Sequence, residues 1–242
     1  MFVDELFAAH PGELAYLIHE DLVISRDQIS SAVATEAAVF AGHGIGAGST
    51  AMLQVPPSRT QIEALLALWL LGAQVMLVDH RLKAAEVEAL RALCRPQVLI
   101  RAGGTAGALG FRLGYELVTT GCPDGRAATG HALVQFSSGS TGLPKVIGRS
   151  AASLVAEIDR FGRIEGMPGW GERVLLLSST AHSFGLVAGL LHALAAGVSV
   201  VFAKRSSARD ILAAASRHRV HAVFGAPFHY ELLSTARDLP LF

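Results

Sequence analysis

The stretch Phe136-Ser-Ser-Gly-Ser-Thr-Gly-Leu-Pro-Lys145 lies between two strand-like runs. Its glycines, hydroxyl groups and lysine offer flexible backbone N–H groups, hydrogen-bonding side chains and one positive charge, which together suit a polyphosphate. It differs from the P-loop of NTPases, because only two residues separate Gly139 from Gly142 and no Ser or Thr follows Lys145. A Ser/Gly linker is the alternative on composition alone, but a linker has no need of the Pro-Lys pair. We interpret the stretch as a phosphate-binding loop.

Helical and strand-like patterns alternate over the rest of the 242 residues. Strands are predicted at Ala51–Val55, Gln74–Val78, Gln97–Ile100, Ala132–Phe136, Val174–Leu177, Ser199–Phe202 and Ala222–Phe224. Helices are predicted at Arg26–Gly42, Arg59–Leu71, Ala84–Leu93, Ala151–Gly166, Phe184–Ala196, Ala208–Arg217 and Phe228–Ala236. This alternation, with 51% hydrophobic residues, predicts an α/β fold with mainly parallel sheets whose strands are buried on both faces.

The sequence also contains an internal repeat. Leu71–Asp79 parallels Ala196–Lys204, and the glycines Gly72 and Gly197 are 125 positions apart (197 − 72). Each copy runs strand, loop, helix, Gly, strand, helix, strand, and a shared register over some fifty residues favours duplication over chance. We therefore expect two similar, mainly parallel α/β layers packed together.

The repeat suggests a division into two subdomains. We expect a first α/β subdomain over residues 1–130 and a second over residues 131–242, with the phosphate loop on the link between the layers. The glycine-rich stretch Arg101–Gly130 is interpreted as a surface connection between the two halves.

Composition argues against several other classes of protein. The 20 basic and 20 acidic residues balance, and no basic stripe supports nucleic-acid binding. Ser183–Ala203 is almost uncharged and long enough to span a membrane, but Gly197 divides it into a helix-like and a β-branched half, so we expect no membrane insertion. Cys94 and Cys122 form no CxxC pair, which indicates a reduced, cytoplasmic protein. No HxxxH or HExxH spacing is present, so no metal ligands are predicted.

Three segments resemble the adenylate-forming (AMP-binding) superfamily. Ser137-Ser-Gly-Ser-Thr-Gly-Leu-Pro-Lys145 is similar to its phosphate-binding signature, and Ser179-Thr-Ala-His-Ser-Phe-Gly185 to its substrate-gate motif. Ala222-Val-Phe-Gly-Ala-Pro-Phe-His-Tyr-Glu-Leu-Leu233 resembles the strand-to-helix segment that follows. The superfamily includes acyl- and aryl-CoA ligases, fatty acyl-AMP ligases and the adenylation domains of nonribosomal peptide synthetases. The resemblance covers the chain from about residue 26 onward.

The resemblance implies a reaction, its cofactors and its binding residues. Such enzymes join a carboxylic acid to the α-phosphate of ATP with Mg²⁺, and pass the acyl group to a thiol of CoA or of phosphopantetheine on a carrier protein. The residues implied for ATP phosphates are Ser137, Ser138, Gly139, Ser140, Thr141, Gly142 and Lys145. Those implied for the substrate pocket are His182, Ser183, Phe184, Ala226 and Phe228.

The gate motif bears on the acid that is activated. Amino-acid-activating members carry Phe-Asp here, whose aspartate holds the α-amino group, whereas this chain has Ala181-His182-Ser183. The resemblance therefore favours an aryl or fatty acid over an amino acid. His182 alone could equally be a capping or packing histidine at a helix start.

Other family motifs do not occur in this sequence. There is no Tyr-Gly-x-Thr-Glu and no Thr-Gly-Asp, and the family's adenylation lysine lies on a C-terminal domain. We therefore expect an N-terminal part of a longer acid–thiol ligase, not fully active alone, with its catalytic residues beyond residue 242. The alternative is a non-catalytic split relative that binds nucleotide, acyl group or a partner. A Rossmann dehydrogenase is disfavoured, because the glycine-rich stretch Gly42–Gly48 follows a helix and precedes a strand.

Overall fold

The computed structural model describes residues 2–7, 10–103, 111–120, 122, 126–137 and 145–236. The strands are β1 (Ala15–His19), β2 (Leu22–Ser25), β3 (Thr50–Gln54), β4 (Gln74–Leu77), β5 (Val98–Ala102), β6 (Tyr115–Thr119), β7 (Leu133–Ser137), β8 (Lys145–Arg149), β9 (Arg173–Leu176), β10 (Ser199–Phe202) and β11 (Ala222–Phe224). The α-helices are α1 (Phe2–Phe7), α2 (Arg26–Gly42), α3 (Arg59–Leu70), α4 (Ala84–Cys94), α5 (Ala151–Gly162), α6 (His192–Ala196), α7 (Ala208–Arg217) and α8 (Pro227–Ser234). A π-helix, Phe184–Leu191, directly precedes α6.

The chain divides into two compact units, each built around one sheet. The first unit comprises Met1–Val3 and Ser31–Leu154, and the second comprises Asp4–Ser30 and Val155–Phe242. This division differs from the boundary expected after residue 130. The physical reason is strand pairing: β7 and β8 belong to the sheet of the first unit, whereas β1 and β2 belong to the sheet of the second.

The first unit contains a six-stranded sheet in the order β6-β5-β3-β4-β7-β8. Strands β3, β4, β5 and β7 are parallel, and the edge strands β6 and β8 run antiparallel to their neighbours. Met52, Met76 and Leu99 of this sheet pack with Val87 and Leu90 of α4 in one apolar cluster. The predicted α/β fold with mainly parallel sheets is confirmed here.

Helix α3 shows how the sequence sets the ends of an element. Ser58 has an extended backbone, and its side chain accepts a hydrogen bond from the N–H of Gln61 at 3.2 Å, which satisfies one unpaired N–H group of the first turn. Ten of the twelve helical residues are buried, which explains why residues 64–70 are all apolar. Gly72 follows the helix with φ 73°, a left-handed conformation that glycine adopts without steric cost.

The second unit contains a five-stranded sheet in the order β11-β9-β10-β1-β2. Strands β1, β9, β10 and β11 are parallel, and β2 pairs antiparallel with β1. Ile18, Leu175 and Val201 from three adjacent strands pack with Ile211 and Ala215 of α7. The fold class is therefore confirmed for this sheet as well.

Strands β1, β2 and β6 were not predicted, and β8 was predicted only as the second strand-like run that flanks the phosphate loop. Strands β2, β6 and β8 are edge strands, and one-sided pairing leaves side chains exposed and weakens the apolar pattern. Strand β6 corrects the interpretation of Arg101–Gly130 as a surface connection, because Tyr115–Thr119 pairs with β5 over five residues.

Within the described part of the chain, no helix has the length and apolar character needed to cross a membrane. The uncharged stretch Ser183–Ala203 consists instead of the π-helix, α6 and β10. Gly197 separates the helical part from the strand with φ 69°, as its position in the sequence predicted.

Candidate functional site

An antiparallel hairpin closes the predicted phosphate loop. Ser137, the last residue of β7, is the pairing partner of Lys145, the first residue of β8. Residues 138–144 therefore connect two paired positions, which lie at the carboxyl end of β7. Lys145 is exposed and Ser137 is half-buried. The other predicted phosphate ligands lie outside the described residues: Ser138, Gly139, Ser140, Thr141 and Gly142.

The carboxyl ends of β3, β4, β5 and β7 lie at one edge of the sheet, where ligands of open α/β sheets usually bind. Asp79 follows β4 at this edge, and Arg81 donates to it from its backbone N–H at 2.9 Å and from Nη2 at 2.6 Å. The side-chain hydrogen bonds from Arg81 lower the pKa of Asp79 to about 2 although burial opposes the shift. The Asp79 carboxylate is thus ionised and tied to Arg81, which fixes the turn beside the loop.

In the second unit, the segment after β9 carries the predicted gate. The backbone N–H groups of Leu177 and Ser178 both donate to the carbonyl of Phe224, each at 2.9 Å, so the end of β9 is joined to the end of β11. His182 then closes a turn, with its N–H donating to Ser179 O at 3.1 Å. The His182 side chain is exposed. This places His182 at the carboxyl edge of the second sheet.

A π-helix follows this turn where the sequence predicted one continuous α-helix. Two glycines allow its close packing. A Cβ at Gly185 would overlap the carbonyl oxygens of Ser178 and Ser179, and a Cβ at Gly189 would overlap a methyl group of Leu176. π-Helical turns are rare and are frequently found at functional sites.

The predicted pocket residues begin two helices at the ends of adjacent strands. Ser183 and Phe184 begin the π-helix after β9, and Ala226 is the N-cap of α8 after β11. The ring of Phe184 meets that of Phe224 edge-on, with centroids 5.5 Å apart. Phe184 and Phe228 are 45% and 58% exposed. Both therefore remain accessible to a ligand at this edge.

His229 is a residue of this edge that the sequence did not single out. It is buried, and its Nδ1 accepts a hydrogen bond from the N–H of Ala226 at 2.9 Å. The ring of Phe228 is tilted by 33° against the imidazole, with the centroids 3.8 Å apart. Burial lowers the pKa of His229, so the imidazole is neutral at pH 7 with its proton on Nε2. The position of His229 three residues after an N-cap, behind Pro227, is the signal that could have identified it.

The side chains that could hold a metal ion are dispersed. No group of three or more His, Cys, Asp or Glu residues lies together among the residues with described positions.

Comparison with known proteins gives one family match. Residues 120–241 match the model of the AMP-binding enzyme family. A curated relative, the hybrid PKS-NRPS synthetase mpsA from Macrophomina phaseolina, is 26% identical over 192 residues, which cover 75% of this chain and 5% of that protein.

Solved structures share the fold over almost the whole chain. One is o-succinylbenzoate CoA synthetase (MenE) from Bacillus subtilis bound to the product analogue OSB-NCoA, with a TM-score of 0.79, 19% identity and coverage of 99% of this chain and 51% of that chain. Another is the inhibitor-bound N-terminal domain of FACL13 from Mycobacterium tuberculosis, with a TM-score of 0.79, 17% identity and coverage of 99% and 64%. Other structures of MenE contain the acyl-adenylate OSB-AMP, or ATP and a magnesium ion. The chain spans about half the length of MenE.

Proposed function

Because the chain belongs to the AMP-binding enzyme family, we propose that it forms the ATP- and acyl-binding part of an acid–thiol ligase that works through an acyl-adenylate. The observation that carries this proposal is the pairing of Ser137 with Lys145, which closes a Ser/Thr/Gly-rich loop at the carboxyl edge of a parallel sheet. Loops of this composition, at this edge, are suited to polyphosphates.

The proposed chemistry requires positioning and charge stabilisation more than covalent catalysis. A carboxylate attacks the α-phosphorus of ATP, a phosphorus–oxygen bond to pyrophosphate breaks, and the acyl-adenylate forms. We assign Ser137, Ser138, Ser140 and Thr141, with the N–H groups of Gly139 and Gly142, to the phosphate oxygens. Lys145 adds a positive charge near the leaving pyrophosphate, where it stabilises developing negative charge.

Magnesium is proposed to accompany the phosphates of ATP, as in the MenE structure with ATP and a magnesium ion. When bound, it neutralises charge on the phosphate oxygens. The exposed Lys145 at the loop's end suits such an anion, whereas we assign no protein ligand to the metal, since the described residues bring no three suitable side chains together.

The acyl group is proposed to bind at the carboxyl edge of the second sheet. His182, Ser183 and Phe184 would line it on the side of β9, and Ala226 and Phe228 on the side of β11. The gate segment 179–185 contains no carboxylate to pair with an α-amino group, and exposed aromatic rings favour an apolar substrate. An aryl or fatty acid therefore fits better than an amino acid.

The acceptor is proposed to be a thiol, either of CoA or of phosphopantetheine on a carrier protein. The MenE structure with OSB-NCoA supports the first and the PKS-NRPS relatives support the second.

Both cysteines are free thiols in the structure, which supports a reduced, cytoplasmic location.

Acid-dependent ATP–pyrophosphate exchange tests the proposal, with a panel of aryl, fatty and amino acids. We expect exchange with an aryl or fatty acid from the complete ligase, and ATP binding by the 242-residue chain in calorimetry. Exchange with an amino acid alone would overturn the pocket assignment. If the folded chain binds ATP and an acid while the complete protein catalyses no exchange, the chain is a non-catalytic binding relative.

A further inference from the structure

The first unit has a cavity of about 420 Å³ at the amino ends of β4 and β7. This is the edge of the sheet opposite to the predicted phosphate loop, because Gln74 begins β4 and Ala132 directly precedes β7. Its volume lies within the range of about 300–1,000 Å³ that is usual for small-molecule sites. Its apolar wall consists of Trp69, Ala73, Ala127, Ala132 and Ala151.

Gln74 presents a fixed hydrogen-bond acceptor in this cavity. The side chain is 6% exposed, and its Nε2 donates to His131 O at 3.0 Å and to Thr129 Oγ1 at 3.1 Å. Because the carbonyl oxygen of His131 can only accept a hydrogen bond, the side-chain atom next to it is the amide nitrogen Nε2. The other terminal atom of the Gln74 side chain is therefore the oxygen Oε1. No hydrogen bond from the described residues reaches Gln74 Oε1. This oxygen is not one of the fully enclosed polar atoms that lack a partner, so a donor group of a ligand in the cavity can reach it.

His131 presents a donor in the same cavity. Thr129 Oγ1 accepts the hydrogen bond from Gln74 and lies 2.8 Å from His131 Nδ1. We assign the Thr129 proton to this nitrogen, so that the neutral His131 carries its own proton on Nε2. The imidazole is packed against the backbone of Gly148, where any Cβ would overlap the ring. The hydrogen bonds that join Gln74, Thr129 and His131, together with the contact with Gly148, hold the imidazole ring in place.

We propose that this cavity is a second binding site, for an uncharged aryl or heterocyclic amide. Its carbonyl would accept from His131 Nε2, its N–H would donate to Gln74 Oε1, and its ring would lie against the Trp69 side of the cavity. Apart from His131, none of the lining residues is ionisable, which disfavours a charged ligand. The site is independent of the proposed ligase chemistry, which lies at the opposite edge.

Benzamide is a suitable probe, because Trp69 reports on the site. The chain has two tryptophans, and the exposed Trp170 can be replaced by Phe. We expect benzamide to change the fluorescence and the indole N–H NMR signal of Trp69 saturably, and methyl benzoate, which lacks the donor, to bind about tenfold more weakly. Absence of a saturable change up to the solubility limit of benzamide would overturn the proposal.

Three substitutions test whether benzamide binds in this cavity or in the predicted acyl pocket. His131→Phe keeps the ring shape and should weaken benzamide binding about tenfold, and Ala127→Leu should abolish binding by filling the cavity without removing a polar group. Phe184→Ala, in the predicted acyl pocket of the second unit, should leave it unchanged. If Phe184→Ala abolishes the signal while His131→Phe and Ala127→Leu retain it, benzamide binds at the acyl pocket and the proposal is wrong.

Discussion

Ser58 and Ser183 occupy equivalent positions in the two copies of the repeat, 125 residues apart (183 − 58), yet they begin different helices. Ser58 has an extended backbone and caps the regular helix α3. Ser183 has a helical backbone, with φ −54° and ψ −42°, its side chain makes no capping hydrogen bond, and a π-helix follows. A serine at this position therefore caps a regular α-helix in the first copy and precedes a π-helix in the second.

The sheets around these two serines follow one plan. The repeated strands occur in the orders β5-β3-β4 and β11-β9-β10. In each sheet a parallel strand comes next, β7 or β1, and then its antiparallel hairpin partner, β8 or β2. The difference between the copies is thus local, because the topology that supports them is shared.

The two hairpins differ in the length of the segment that connects their strands. His19 pairs with Leu22 across the two residues Glu20 and Asp21, whereas Ser137 pairs with Lys145 across residues 138–144. Two residues suffice to close a hairpin, so the fold does not require the longer loop. The long loop and the π-helix, both at carboxyl ends of strands, are the departures from the shared plan and the places where we propose function.

The largest effect is expected at Gly185, whose equivalent in the first copy is Thr60 (185 − 125). Gly185→Ala should lower the free energy of unfolding by about 3 kcal/mol, because its Cβ would overlap backbone oxygens that cannot move away easily. Thr60 accommodates a side chain, whose hydroxyl donates to Leu113 O and accepts from Leu113 N, each at 2.8 Å, so Thr60→Ser, which keeps both hydrogen bonds and loses one methyl group, should cost only about 1 kcal/mol. Urea unfolding measures both, and equal losses would remove the distinction between the copies.

The next effect concerns the hairpins. Lys145→Leu introduces the residue found at the equivalent position of β2, Leu22, and removes the charge proposed to meet phosphate. ATP binding should weaken about tenfold, since hydrogen bonds to charged groups contribute about 1.5–3 kcal/mol, with unfolding unchanged. Calorimetric titration with ATP is the measurement, and Lys204→Leu in the second unit is the matched control. Equal ATP affinity in the wild type and Lys145→Leu would count against the phosphate loop.

The two serines themselves predict a smaller difference. Ser58→Ala should destabilise the protein by about 1 kcal/mol, because the N–H of Gln61 loses its cap. Ser183→Ala removes no helix cap, so it should destabilise the protein less than Ser58→Ala does. Thermal and urea unfolding of the pair test this, and a larger loss at Ser183 would show that the π-helix depends on its hydroxyl.

The smallest effect is expected at Asp79 and Lys204, the charged residues that lie two positions after the equivalent strands β4 and β10. The folded-state pKa of Asp79 is lowered from 3.8 to about 2 by Arg81, so its contribution is present above about pH 4 and is lost as the pH falls through 2. Asp79→Asn should cost roughly 0.5 to 1 kcal/mol at pH 7, because the partner Arg81 is largely solvent-exposed. Its unfolding free energy should also vary less with pH between 4 and 2. Lys204→Ala breaks the exposed pair with Glu20 and should have almost no effect.

Several features could be predicted before any coordinates. The Ser/Thr/Gly-rich stretch before Lys145 and the gate motif around His182 indicated the family, and residues 120–241 match its model. The central strands were predicted because buried parallel strands are continuously apolar. The assignments of Ser137, Lys145, His182, Ser183, Phe184, Ala226 and Phe228 to ligands remain predictions.

The amino-acid sequence by itself determined the α/β alternation, the repeat at an offset of 125 and the composition of the phosphate loop, because these depend on local pattern and residue chemistry. Only the tertiary structure decided that β1 joins β10, that Gly185 faces backbone oxygens within a π-helix, and that His229 caps Ala226. The partners β1 and β10 are distant in sequence, and the contacts at Gly185 and Ala226, although local, depend on backbone geometry that the residue pattern does not specify. In the second sheet, β1 and β10 are separated by most of the chain and meet only when it is folded.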